Sequence, residues 1–359
     1  MSDAFERFGL VLRFAGEHRL TDVLFKAGAR PFYGRTGQLI SRPQDPTFEV
    51  EELTKIAEKL MSGEQMARFN AGAEITLSYP LVGAGRFRVH IFRQRASVGL
   101  SVRVHPGRAR GVRDLGLPQH VTGFCARSHG VVIVSSPAGH GRTTTIGALL
   151  DLLNSASPSR RIVSIGAAND VALSDKTGWT CQRAIGVDAS SWVSAVRGAI
   201  AQGADVLAVD EVPDADTLDA ALDAAERGTL VFLGVGARDM AGAIRKLLAR
   251  LPADREPGIR RRLSAVFIGG IEQTLAIAPD GTKLVPACGI LVAESQTVQW
   301  IRDGHDPAGV YEVMHTRGAG MQTRDQHLAE LVAAGKIKPD VAMMHAIRPQ
   351  ALTGRRASR

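Results

Sequence analysis

The stretch Ser135-Ser136-Pro137-Ala138-Gly139-His140-Gly141-Arg142-Thr143-Thr144-Thr145 comes within two residues of the phosphate-binding pattern G-x-x-x-x-G-K-[ST]. Ser136 stands at the first glycine and Arg142 at the lysine. Such a match means something only between a strand and a helix, and both flanks have that character. Gly130 to Val134 is a continuous apolar run, as in a strand buried on both faces, and Thr144 to Asn154 is helical in pattern. In that setting backbone N–H groups turn inward around phosphate at the positive end of a helix. Gly139 and Gly141 give the backbone its freedom there, and Thr143 offers a hydroxyl to Mg²⁺. The candidate ATP-binding residues are therefore Pro137, Ala138, Gly139, His140, Gly141, Arg142, Thr143 and Thr144. A strand–turn–helix corner that binds nothing is the bland alternative.

A second element favours the nucleotide reading. Ala204 to Glu211 is an apolar strand ending in two acids, Asp210 and Glu211. A carboxylate at that strand tip faces the metal or its water, so Glu211 joins Thr143 as a candidate metal residue, and both acids are candidate catalytic groups. The bland alternative is a strand followed by a helix capped near Asp214. Further apolar runs at 162–165 and 230–233 alternate with helical stretches at 192–201, 215–227 and 240–251. This β-then-α order predicts a helix-covered parallel sheet, an α/β P-loop NTPase-type fold.

The region before residue 105 is patterned differently. Strand-like stretches at 20–25, 73–80, 86–92 and 98–104 surround a helical spacing over 52–66, giving a smaller α+β unit. The domain reading is 1–105, a linker over 106–118, a nucleotide-binding domain over 119–345 and a basic tail without fixed structure over 346–359.

The 359 residues are 45% hydrophobic and 22% charged, ordinary for a globular chain. No apolar run approaches the ~18 residues of a membrane helix, and the first residues lack a signal-peptide pattern. Cys125, Cys181 and Cys288 show neither metal nor disulfide spacing, which predicts reduced thiols and a cytoplasmic protein. The formal charge of +8 is spread over many arginines with few aromatics. It reads as a solvated surface, and no nucleic-acid partner is expected.

Several segments, taken in order, resemble the type IV pilus retraction ATPases (PilT-like) of the type II/type IV secretion ATPase superfamily. Leu20-Thr21-Asp22-Val23 is similar to that family's "SDLHL" start. Gly85 to Arg95 resembles its "RFRVN.F.QR" strand pair, Cys181 to Gly186 its "QREVG", and Asp205 to Glu211 its Walker B strand. Ala225 to Phe232 resembles "AETGHLVF", and Met321 to Gln326 resembles "MQTMDQ". The resemblance implies a PAS-like N-terminal domain and a RecA-like ATPase domain. It also implies a ring of six chains, alone or with a PilT-like paralogue, working on an inner-membrane pilus or secretion platform protein. It places the chain in the cytoplasm, held at the membrane only through partners. Nucleotide contacts are implied from Arg93 and Arg103 of the N-terminal domain and from Arg183.

The departures fall on reacting positions. Where the family has the acidic box "IEDPIE", this chain has Ile165-Gly166-Ala167-Ala168-Asn169-Asp170, so Gly166 replaces the catalytic glutamate and Asp170 alone keeps an acid. Gly236 replaces the histidine of "GTLHT", and Arg142 the loop lysine. Losing a general base and a charge-stabilising donor from an enzyme turning over at about 10 s⁻¹ leaves on the order of 10⁻³ s⁻¹ or less. Three readings stay open: a non-hydrolysing subunit beside an active paralogue, a slow ATPase using Asp170, Asp210 or Glu211 as base, and an interaction module that binds no nucleotide.

Overall fold

The computed structural model describes residues 3–18, 20–35, 38–82, 84–105, 109–167, 171–304, 309–316 and 318–353. The chain separates into two compact units, one of residues 1–108 with 170–172, the other of 109–169 with 173–359.

In the smaller unit, helix α1 (Ala4–Glu17) buries Phe8, Val11, Leu12 and Ala15, the i, i+3, i+4, i+7 stripe of an amphipathic helix. It packs with strands β1 (Asp22–Phe25), β2 (Phe32–Arg35), β3 (Gln38–Ser41), β4 (Ile75–Leu81), β5 (Gly85–Gln94) and β6 (Ser97–His105). These form an antiparallel sheet in the order β3-β2-β1-β6-β5-β4. Along β5, Phe87, Val89 and Ile91 face the core while the intervening Arg86, Arg88 and His90 do not, the period of two that fixes register. Arg95 and Ala96 have φ of 48° and 59° and form the two-residue turn that joins β5 to β6, of the kind whose twist suits a hairpin.

The single helix expected over 52–66 is two: α2 (Val50–Leu60) and α3 (Gly63–Asn70). Met61 is extended, and Ser62 caps α3 in a reciprocal pairing with Gln65. The S-x-x-Q capping signal overrides an apolar spacing that runs through it.

The larger unit carries a seven-stranded sheet in the order β13-β12-β7-β11-β10-β8-β9. Its strands are β7 (Gly130–Ser136), β8 (Arg161–Gly166), β9 (Trp179–Ala184), β10 (Val206–Val209), β11 (Leu230–Gly236), β12 (Phe267–Ile277) and β13 (Leu284–Val292). All neighbours are parallel except β12 and β13. Every residue of β7 is buried, because helices cover both faces. Ile133, Val163, Leu207 and Val231 pack on one side against α5 (Trp192–Ala201), α6 (Ala215–Glu226), α7 (Met240–Leu248) and α8 (Glu256–Val266). Val132, Val134, Ala208 and Phe232 pack on the other against α4 (Arg142–Asn154). The chain continues through α9 (Ser295–Asp303), α10 (Val310–His315), α11 (Arg324–Ala333), α12 (Pro339–His345) and α13 (Gln350–Thr353).

The expectation of a structureless tail from residue 346 is corrected over 346–353. Ala346 is buried, the amides of Ile347 and Arg348 donate to the Asp325 carboxylate at 2.8 Å each, and Leu352 packs against Leu328 and its neighbours. A buried carboxylate with two backbone donors fixes this segment despite its polar composition. Residues 354–359 lie outside the described residues. Among the described residues no helix is long and apolar enough to cross a membrane.

Candidate nucleotide site

The loop that follows β7 enters α4 through two left-handed glycines, Gly139 at φ 77° and Gly141 at φ 86°. Gly141 is the N-cap and supplies no side-chain oxygen, so the first amides of α4, those of Arg142, Thr143 and Thr144, keep no capping partner. They are presented as an anion-binding edge. Glycine is required at 141 for a second reason: a Cβ there would lie 2.7 Å from Gln273 Nε2. Before the glycines, the His140 amide donates to the Pro137 carbonyl at 3.2 Å, and the Ser136 hydroxyl donates to the same carbonyl at 2.9 Å. Ser136 is thus absorbed into the turn, and its substitution for glycine leaves the loop formed.

The loop is held to β12 by a set of contacts that its own motif does not announce. Gln273, 2% exposed, donates from Nε2 to the His140 carbonyl at 2.7 Å and accepts from the Thr145 hydroxyl at 2.6 Å. The His140 ring turns toward β12, where Nδ1 accepts from the Leu275 amide at 3.0 Å. Thr274 Oγ1 lies 3.0 Å from the same nitrogen and 3.1 Å from His345 Nδ1. Burial, with the nearby Arg324 charge, lowers the pKa of His140, and burial lowers that of His345, aided by His140 and Arg324. Both rings are therefore favoured neutral. A neutral His140 accepting at Nδ1 carries its proton on Nε2.

Beside this lies a buried carboxylate. Glu272 is 1% exposed and sits opposite Gly289 on β13. A Cβ at Gly289 would fall 2.5 Å from Glu272 Oε1, so the glycine makes room for the carboxylate. Glu272 Oε2 accepts from the first amide of α7, Met240 N–H, at 2.6 Å. Burial pushes its pKa up to about 7 against the pull of Arg324. Arg324 is itself buried and donates to the Arg238 carbonyl at 2.6 Å.

The acids at the end of β10 divide. The Thr143 hydroxyl donates to Asp210 Oδ1 at 2.9 Å, and Arg142 Nε lies 3.6 Å from that oxygen. Glu211 is exposed and makes no hydrogen bond or ion pair among the described residues. Asp210 is therefore the acid that the structure joins to Thr143. One hydroxyl beside one carboxylate fits a Mg²⁺ ion that takes its remaining ligands from phosphate and water. No group of three or more His, Cys, Asp or Glu among the described residues could hold a metal ion.

Arg142 does not reach past the loop as a free side chain. A Cβ on Gly234 would lie 3.0 Å from its Nε, and one on Gly236 would lie 3.7 Å from its Nη1. The guanidinium thus lies along the side-chain-free edge of β11. The loop arginine and the glycine at 236 are one arrangement in space. Gly166 ends β8 and is buried. Asp170 lies outside the described residues.

Three further arginines were expected at nucleotide. Arg183 sits on β9, at the sheet edge farthest in strand order from β12 and β13, and its guanidinium donates to the Asp188 and Ala195 carbonyls at 3.1 and 3.4 Å. Within the larger unit it is not brought to the loop. In the smaller unit Arg93 donates to Asn70 at 3.3 Å and lies over the Phe69 ring. Arg103 donates to Asp22 at 3.2 Å. Gln273, Thr274, His345, Glu272 and Arg324 are the neighbours that motif reading missed. Glu272, Gln273 and Thr274 come near the loop through the pairing of β12 with β7, and Arg324 and His345 come from helices α11 and α12.

A glycine-bracketed loop between a buried parallel strand and a helix, with a hydroxyl bonded to an acid at a neighbouring strand tip, defines a P-loop fold with a RecA-like core and a smaller N-terminal domain. Residues 109–276 match the family described as "Type II/IV secretion system protein". The chain is 29% identical over 341 residues to the type IV pilus retraction ATPase PilT of Pseudomonas aeruginosa, covering 95% of this chain and 98% of that protein. It is 27% identical to a twitching motility protein of Neisseria gonorrhoeae, covering 86% and 82%. The crystal structure of the pilus retraction motor PilT with bound ADP superposes with a TM-score of 0.83 at 29% identity, covering 96% and 98%. The chain is thus similar to PilT over nearly its whole length and to the type II/IV secretion family over residues 109–276.

Proposed function

We propose that the chain binds Mg-ATP and Mg-ADP through the backbone of Ala138 to Thr144. It turns ATP over far too slowly to drive a motor, and it serves as a ring subunit of a type IV pilus or secretion machine beside an intact paralogue. One observation carries the reading. The phosphate cradle is kept, with Gly139 and Gly141 left-handed and Thr143 bonded to Asp210, while Gly166 and Gly236 offer no side chain where hydrolysis needs one. Arg142 keeps a positive charge at the loop, in a planar form that can fork onto phosphate oxygens. Arg93 and Arg103 are the arginines through which the smaller unit contacts nucleotide in a six-membered ring. The site of action is the cytoplasmic face of the inner membrane, reached through a platform protein.

Titration calorimetry of the pure chain with Mg-ATP and with Mg-ADP tests the binding. Saturable heat with both supports the proposal, and no heat at millimolar nucleotide leaves an interaction module that binds none. A slow ATPase is the second reading, favoured by Glu211, which stands unpartnered one residue beyond the Thr143-bonded Asp210. A Glu211→Gln variant that lowers residual turnover would select it.

A further inference from the structure

From the edge of β11 we infer that Lys246 is a second phosphate-binding cation, supplied by α7, and that together with Arg142 it makes the site prefer a nucleoside triphosphate to a diphosphate. This rests on the nucleotide reading above and adds a residue and a specificity to it. Gly236 is the last residue of β11 and is paired in register with Ser136, the last residue of the strand that feeds the loop. Its missing side chain leaves a space beside the loop at the carboxyl ends of the parallel strands, the usual ligand-binding edge of such a sheet.

Two cations face that space. The position a Cβ would take on Gly236 lies 3.4 Å from Lys246 Nζ and 3.7 Å from Arg142 Nη1. Lys246 donates one N–H to the Gly236 carbonyl at 2.8 Å, and this fixes the ammonium at the strand end with two donors left over. It forms no ion pair among the described residues. Arg142 has a single carboxylate near it, Asp210, already bonded to Thr143, and its buried Nε makes no hydrogen bond. Two like charges around one space, with no acid between them, repel at this separation. An anion placed there removes the repulsion and gains charge-assisted hydrogen bonds from both.

The anion of matching chemistry is a terminal phosphate. The amides at the start of α4 hold the inner phosphates, and one phosphate further out lies toward the end of β11. A lysine in the loop itself would be spaced to meet phosphates of ADP and ATP alike. A lysine from α7, at the far side of Gly236, meets only the longer ligand. The triphosphate preference therefore resides in Lys246 rather than in the loop.

The test is competition binding with Mg-ATP and Mg-ADP, displacing a fluorescent nucleotide from the full chain, for wild type, Lys246→Gln and Lys246→Arg. Lys246 is exposed, so its replacements leave the fold intact, which a thermal melt confirms. A hydrogen bond from a charged donor to phosphate corresponds to about tenfold or more in affinity. Lys246→Gln is expected to weaken ATP by about tenfold and ADP by less than twofold, with Lys246→Arg restoring most of the loss. A lysine that only caps the Gly236 carbonyl would lower both ligands together or neither, and either outcome overturns the inference while the nucleotide site stands. A wild-type chain that binds neither nucleotide overturns both.

Discussion

Replacing Gly236 by histidine, the residue that the family resemblance implies there, should be costly in this chain, and the cost should depend on Arg142. The backbone at 236 does not adopt a left-handed conformation, and an added Cβ would meet Lys246 and Arg142 at 3.4 and 3.7 Å. A methyl group is tolerated at such distances, so Gly236→Ala is expected to change stability by less than about 0.5 kcal/mol. An imidazole extends into the place of the guanidinium. Displacing Arg142 from its half-buried position beside Asp210 combines lost packing with a disturbed ion pair, and costs about 2 kcal/mol. Arg142→Lys alone vacates the planar group and costs about 1 kcal/mol. In the double variant the ring enters space already emptied, so the total falls short of additivity by at least about 1 kcal/mol, within the range measured for residues in contact. The four proteins can be compared by urea unfolding. All three tryptophans, Trp179, Trp192 and Trp300, lie in the larger unit, so intrinsic fluorescence follows that unit alone. Additivity within about 0.5 kcal/mol would refute the claim that Arg142 borders the space into which a longer side chain at 236 would extend.

Gln273→Ala removes two of the bonds that hold the loop and the start of α4 to β12. It should weaken nucleotide binding by about tenfold and speed amide exchange over 139–144, with the unit still folded; unchanged exchange would count against the clamp. Glu272→Gln should show a pH-dependent gain. The buried carboxyl titrates near 7 in the folded chain, above its ordinary 4.5. The stabilisation from its bound proton is therefore complete below the ordinary value and is lost as pH rises through about 7. The variant should match wild type in stability near pH 5 and exceed it near pH 8 by on the order of a few kcal/mol. A difference that does not vary with pH would contradict this.

The parts of the site that can be read in sequence are the local ones. The β7 strand, the loop and α4 follow from an apolar run, two glycines and a threonine, because each element is specified by residues adjacent in the chain. The helix break at Met61–Ser62 was equally local, in the Ser62–Gln65 capping pair, but an apolar stripe running through it masks the signal. Gln273 escapes sequence reading for a different reason. It meets His140 across 133 residues, through the pairing of β12 with β7, and β12 carries no motif of its own. Glu272 is legible only together with Gly289, since an acid in an apolar strand makes sense once the facing position is seen to be empty. The substitutions at 142 and 236 read in sequence as two separate losses. In space they are neighbours, a Cβ at 236 falling 3.7 Å from Arg142 Nη1.

Phosphate release from the pure chain at saturating Mg-ATP, measured beside nucleotide binding on the same preparation, bears most directly on the proposal that the phosphate cradle is kept and hydrolysis is lost. Saturable binding with turnover on the order of 10⁻³ s⁻¹ or less is predicted. Turnover above about 1 s⁻¹ would contradict it.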